Sequence, residues 1–91
     1  MTFEWDRRKA ARNRRKHGVS FQEAATIFAD PLARTYDDPD HSTWEQRFIT
    51  VGISDAGRVL IVAHADRNET IRIISARKTT ARERRHYEEE N

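Results

Sequence analysis

The stretch ETIRIISARKTTARERRHYEEE, Glu69–Glu90, changes period halfway along its length, and the change decides the fold. Ile71, Ile73 and Ser75 alternate with Arg72, Ile74 and Ala76. That is a β-branched strand pattern with one mostly apolar face. Thr79 and Thr80 then supply a helix N-cap, and Thr80-Ala81-Arg82-Glu83 has the spacing of a capping box. Arg77 and Lys78 stand where the strand gives way to the helix. Fixed cations beside the free N–H groups of a helix start form a site for phosphate, so this junction points to nucleic acid.

The remaining sequence reads outward from that junction as a small α+β domain. Thr2 to Trp5 is a short strand; Asp6 caps a helix running to about Lys16, and Gly18 suits its C′ position. Beyond Ala10 and Ala11 this helix has little apolar surface, so it is expected on the outside with a basic face. Ser20-Phe21-Gln22-Glu23 is a second capping box, followed by Phe21, Ala24, Ala25 and Phe28 at helical spacing; Asp30-Pro31 ends that helix. Leu32 to Asp37 reads as a strand. Arg47 to Ile53 alternates with Ile49, Val51 and Ile53 on one face. Ser54-Asp55-Ala56-Gly57 is a hairpin turn. Arg58 to Ala65 is apolar on both faces and so belongs at the centre of the sheet. The expected order is β-α-α-β-β-β-β-α, a mainly antiparallel sheet with helices packed on it. Its expected core is Phe21, Phe28, Ile49, Val51, Leu60, Ile61, Ile71 and Ile73.

Ninety-one residues suit one domain, residues 1–91, with one modest core. Hydrophobic residues make up 36% and charged residues 35%, so the surface must be heavily ionised. The net charge is only +2, but Arg7, Arg8, Lys9, Arg12, Arg14, Arg15 and Lys16 crowd one segment while Glu88, Glu89 and Glu90 form an acidic run. Of the 17 cations only Lys9, Lys16 and Lys78 are lysines, which leaves 14 arginines (17 − 3). Arginine binds phosphate bidentately and stacks on bases, and this bias favours nucleic acid over a generic charged surface. The absence of cysteine excludes disulfides, thiol catalysis and Cys-based zinc sites and fits a cytoplasmic protein. The longest apolar run, Val59 to Ala63, is too short to span a bilayer, and the N-terminal residues do not read as a signal peptide.

Phe3-Glu4-Trp5-Asp6, Lys16-His17-Gly18-Val19-Ser20-Phe21, Glu45-x-Arg47-Phe48 and Ile73-Ile74-Ser75-Ala76-Arg77-Lys78 occur in order, followed by Glu83-Arg84 and Tyr87. Together they resemble the BrnT family, the toxin half of a bacterial type II toxin–antitoxin pair. The resemblance implies a RelE-like fold and a ribonuclease that arrests translation. It also implies neutralisation by a BrnA-like ribbon-helix-helix antitoxin, with operator DNA contacted only through the toxin–antitoxin complex.

A ribonuclease that works without metal lets the ribose 2′-OH attack the adjacent phosphorus. It needs a base, a protonated group for the leaving oxygen, and cations for the charge developing on phosphate. Arg47, Arg58, Arg72 and Arg77 fall on three neighbouring strands; Arg77 and Arg47, with Lys78 beside them, are the better phosphate ligands. Arg72 faces away from Arg77 if the strand is regular. His17 is a candidate for proton transfer, the usual role of a histidine at a site of this kind, or else it hydrogen-bonds the end of its helix. Glu45 is a candidate base or an ion-pair partner. Tyr87 is a candidate acid or a packing residue. His41 and His64 are weaker candidates, and His86 is expected to pair near the acidic run. Arg8, Arg12, Arg15 and Lys16, with Arg58 and Arg72, are the expected RNA-binding cations. Asp37, Asp38, Asp40 and His41 form an acidic loop whose spacing matches neither an EF-hand nor an H-E-x-x-H helix; it reads as a solvated turn, and no metal or other cofactor is expected. An antitoxin would present carboxylates or carbonyls to Arg47 and Arg77 and draw apolar anchorage from Trp5, Trp44 or Phe48. A non-catalytic module that binds nucleic acid or an antitoxin is the competing reading.

Overall fold

The structure, a computed structural model, describes residues 1–41 and 45–90; Trp44 and the side chain of His41 lie outside the described residues. Strands β1 (Thr2–Glu4), β2 (Arg34–Asp37), β3 (Arg47–Ile53), β4 (Val59–Arg67) and β5 (Thr70–Lys78) form one sheet in the order β1-β5-β4-β3-β2. All pairings are antiparallel except β1 with β5, where Thr2 lies opposite Thr70. Helices α1 (Arg7–His17) and α2 (Phe21–Thr26) precede β2, and α3 (Ala81–Glu89) follows β5. The expected element order and the central place of β4 both hold.

Local chemistry explains the helix starts and stops. The Asp6 side chain accepts hydrogen bonds from the Arg8 and Lys9 amides at 2.8 and 3.0 Å. Gly18 ends α1 in the left-handed conformation, φ 69°, and its N–H bonds the Arg14 carbonyl. The capping box at α3 is complete: Glu83 N–H donates to Thr80 Oγ1 at 3.2 Å, and Thr80 N–H donates to Glu83 Oε1 at 2.8 Å. At α2 only half the box forms. The Ser20 hydroxyl accepts from the Glu23 amide, but the Glu23 carboxylate turns away to Arg58.

Val19, Phe21, Ala24 and Ile27 pack on one sheet face against Leu60, Val62, Ile71, Ile73 and Ala76, and all nine are buried. Removing each larger side chain from water stabilises the fold by roughly 1.5–3 kcal/mol. Gly52 lets the backbone after α2 lie close to β3, since a Cβ there would meet Ile27 O at 3.2 Å and Ala33 Cβ at 3.1 Å.

The expected core needs correcting on one point. Phe21, Leu60, Ile71 and Ile73 are in it and Phe28 packs against it, but Ile49, Val51 and Ile61 are half-buried and belong to the opposite face. On β3 the inward residues are instead Thr50 and Gly52. Thr50 survives there because its hydroxyl is engaged. His64, buried between Phe28 and Phe48, contacts Thr50 Oγ1 through Nε2 and Asp66 through Nδ1, each at 2.7 Å. An ionised carboxylate only accepts, so Nδ1–H donates to Asp66; His64 is thus a satisfied core histidine.

The second correction concerns the alternation along β5. Ala63 pairs with Ser75 but His64 pairs with Ile73, so Ile74 is an extra residue, a β-bulge. The bulge reverses the parity. Ile71 and Ile73 point into the core and then Ala76 does, while Ser75 is expelled to the other face. Arg72 and Arg77, expected on opposite faces, therefore share one.

Candidate active site

The sheet face opposite α1 and α2 carries two cross-strand rows. Arg47 pairs with Ala65 and Ala65 with Arg72; two residues further along, Ile49 pairs with Ala63 and Ala63 with Ser75. Paired residues project to the same side, so β3 and β5 set Arg47 and Arg72 on either side of a small alanine. A hollow of about 370 Å³ opens on this face, with His17, Asp38, Arg47, Ser75 and Arg77 on its walls. With Ile61 and Ala63 of β4 forming its floor, five separate segments of sequence meet in one place.

Asn13 sets how α1 reaches this hollow. It is buried, and its Nδ2 donates to the carbonyls of Val19 at 3.1 Å and Ala76 at 2.8 Å, while its Oδ1 accepts from the Ala76 amide at 3.1 Å. Strand β1 ends at Glu4, opposite Arg72, so the outward backbone groups of Ala76 have no strand beside them. The Asn13 amide takes that strand's place. His17 lies one turn after Asn13 on the same helix face and comes to the wall of the hollow beside Ala76. Sequence reasoning missed Asn13. The signal was the i, i+3, i+7 spacing of Ala10, Asn13 and His17 within an otherwise cationic segment.

Arg77 holds Glu83 in a two-pronged pair, Nη1 to Oε1 at 2.8 Å and Nη2 to Oε2 at 2.9 Å, which fixes the plane of its guanidinium. The arginine contact, aided by Thr80, pulls the Glu83 carboxyl down from its ordinary 4.5 to about 2 despite partial burial. Arg77 is accordingly raised, first by Glu83. A lowered carboxyl stabilises the fold fully above its unfolded value, and the contribution is lost as pH falls from about 4.5 towards 2. Both side chains are more than a third exposed, so screening reduces the contribution to about 1 kcal/mol. Thermal melts should therefore show an acid loss of that size in the native protein that Glu83→Gln lacks.

The other expected site residues divide clearly. Arg72 lies on the same face and is 3.6 Å from Glu4. Glu45 is not in the hollow; its carboxylate holds Arg67, with contacts of 2.5 and 2.8 Å. Lys78 is exposed, and strand parity turns it away from Arg77. Tyr87 is buried under α3 and donates to Asp30; burial first, then that carboxylate, pushes its phenol up to about 12. Arg58 lies on the helix side, bound by Glu23 and by the Gly18 carbonyl at 3.1 Å, where it fastens the Ser54–Gly57 turn to α2. Arg8, Arg12, Arg15 and Lys16 are exposed along α1. Asp38 is buried and reaches the hollow, whereas Asp37 and Asp40 are exposed. Among the described residues no group of three His, Asp or Glu side chains is arranged to hold a metal ion, and no helix is long and apolar enough to cross a membrane. Among the described residues the large apolar side chains that stand exposed are not Trp5 and Phe48, which pack inward on Phe21 and His64, but Met1, Leu32, Tyr36 and Ile53.

No curated protein matches the chain by sequence. The fold is similar to the crystal structure of the ribonuclease toxin BrnT of Brucella abortus, with a TM-score of 0.67 at 20% identity over 88% of this chain and 97% of that one. At that identity the likeness speaks for the fold. Residues 5–83 match the family model for the ribonuclease toxin BrnT of type II toxin–antitoxin systems. With most of the chain inside that match, and the hollow built largely from residues within it, the chain belongs to the BrnT toxin family.

Proposed function

We propose that the chain is a metal-independent endoribonuclease and that RNA is cut in the hollow between α1, β3 and β5. The observation that carries this reading is the meeting of His17, Arg47 and Arg77 on one wall system, although they are distant in sequence. The 2′-OH attacks the adjacent phosphorus, the new 2′-O–P bond forms, and the bond to the 5′-oxygen breaks. His17 takes the proton from the 2′-OH and, as imidazolium, returns one to the departing 5′-oxygen. Glu45 and Tyr87 are left out of the proton transfers because neither lines the hollow; Arg67 and Asp30 hold them elsewhere. Arg47 and Arg77 bear the charge developing on the phosphate oxygens, where preorganised cations act most strongly. The cationic face of α1 draws the strand towards the site.

Purified protein incubated with long RNA in EDTA is expected to yield fragments ending in 2′,3′-cyclic phosphate. Cleavage abolished by EDTA and restored by magnesium would overturn the mechanism, and an absence of fragments in either buffer would favour the non-catalytic binding module. The partner is proposed to be a BrnA-like ribbon-helix-helix antitoxin that covers the hollow in the cytoplasm and carries the contact with operator DNA. It competes with Glu83 for Arg77 and gains apolar anchorage at Leu32, Tyr36 and Ile53, burying more than ~1,000 Å² in total.

A further inference from the structure

We propose that Ser75 is a direct substrate contact, its hydroxyl aimed by the β5 bulge at the phosphate held between His17, Arg47 and Arg77. The proposal rests on the reading of this hollow as a ribonuclease site. Three independent features lead to it.

First, a regular strand would place residue 75 on the core side with Ile71 and Ile73; the extra residue Ile74 turns it out instead. A bulge forfeits regular pairing and persists where the surroundings enforce it. Here the enforcement is visible: Asn13 satisfies both backbone groups of Ala76, the residue immediately after Ser75. The protein thus fixes the orientation of this one segment with a buried side chain from another element.

Second, Ser75 is exposed at the wall of the hollow, and its hydroxyl makes no hydrogen bond to any described residue. Among the described residues the other serine and threonine hydroxyls are occupied. Thr35 bonds Thr50, Thr50 bonds His64, Ser54 donates to Glu23, and Thr79 donates to the Val59 carbonyl.

Third, the chemistry suits the place. Arg47 and Arg77 supply charge from β3 and from the end of β5, but phosphate in a displacement has several oxygens to satisfy. A neutral O–H between two guanidinium groups donates to a non-bridging oxygen without adding a repulsive cation. Ser75 lies two residues before Arg77 on the same face, so both address the same group from one strand.

The test uses the full chain and a short RNA oligonucleotide whose linkages are phosphate, or phosphorothioate of either hand. Ser75→Ala should lower kcat about tenfold with the melting temperature unchanged, and Ser75→Thr, which keeps the hydroxyl, should recover most of the rate. Sulfur accepts hydrogen bonds poorly, so one phosphorothioate hand should slow the native protein more than it slows Ser75→Ala. Wild-type rates in Ser75→Ala, or equal sulfur effects in both proteins, would overturn the assignment while leaving the ribonuclease reading intact. Failure of the native protein to cleave the phosphate oligonucleotide at all would overturn both.

Discussion

Arg77→Ala is expected to lower RNA cleavage about a hundredfold, the loss of a charge-assisted contact worth ~3 kcal/mol in the transition state. The residue lies at the end of β5 with its guanidinium plane fixed by Glu83, so little reorganisation separates the resting geometry from the one that meets developing charge. The fold should survive. Glu83 keeps its bond to the Thr80 amide after the arginine is gone, and the lost ion pair costs only about 1 kcal/mol. Arg8→Ala supplies the contrast. That residue stands in the exposed basic row of α1, and its loss should weaken RNA binding mildly and mainly at low salt. Initial cleavage rates at two ionic strengths, with circular dichroism as a check on folding, separate the two effects. Equal losses in both variants would remove the case for a focused site at the strand–helix junction.

Asn13→Ala is expected to give the largest loss of stability of any polar substitution discussed above. The buried amide makes three hydrogen bonds, and its removal leaves the Ala76 amide, the Ala76 carbonyl and the Val19 carbonyl without their partner. Buried polar groups left unpaired cost about 1–3 kcal/mol each, with water entering the vacated space to recover part of it, so a net loss of ~3 kcal/mol is expected. For a chain of this size that is a fall in melting temperature of roughly 12–24 °C. Asn13→Asp is a sharper probe: the carboxylate still accepts from the Ala76 amide but faces two carbonyl oxygens, and should be as damaging as alanine. A shift of less than ~3 °C in either variant would show that the edge of β5 is held by something else.

Much of the fold was legible because its signals are local. The alternation of Arg47–Ile53, the doubly apolar Val59–Ala65 run and the capping residues Asp6, Ser20 and Thr80 each act within a few residues, and each element formed where expected. What the pattern could not carry was the choice of face. Ile49, Val51 and Ile53 alternate cleanly, yet Thr50 and Gly52 turn inward. Gly52 is needed for the close approach of the chain after α2, and Thr50 finds His64 across the sheet. The site was legible in its cations and not in its grouping. Arg47, Arg77 and His17 come together through a one-residue bulge and an asparagine 63 positions from its partner, and neither leaves a periodic trace. In sequence Glu45 and Lys78 are candidates for the same site, and Arg58 is one of the expected RNA-binding cations. They differ only in what the folded chain sets beside them: Glu23 for Arg58, Arg67 for Glu45, and the far side of the strand for Lys78.

The bond between Asn13 and Ala76 also sets an order of events during synthesis. At the usual 5–20 residues per second, roughly 3–13 seconds separate the polymerisation of Asn13 from that of Ala76, 63 positions later. Until then His17 has a helix but no wall to stand against, Arg77 does not exist, and β1 lacks the strand it pairs with in parallel. On the proposed reading of the hollow, a nascent chain cannot cut RNA there until β5 has been made. The hollow is complete only once β5 docks, and that interval is the time in which an antitoxin can already be waiting.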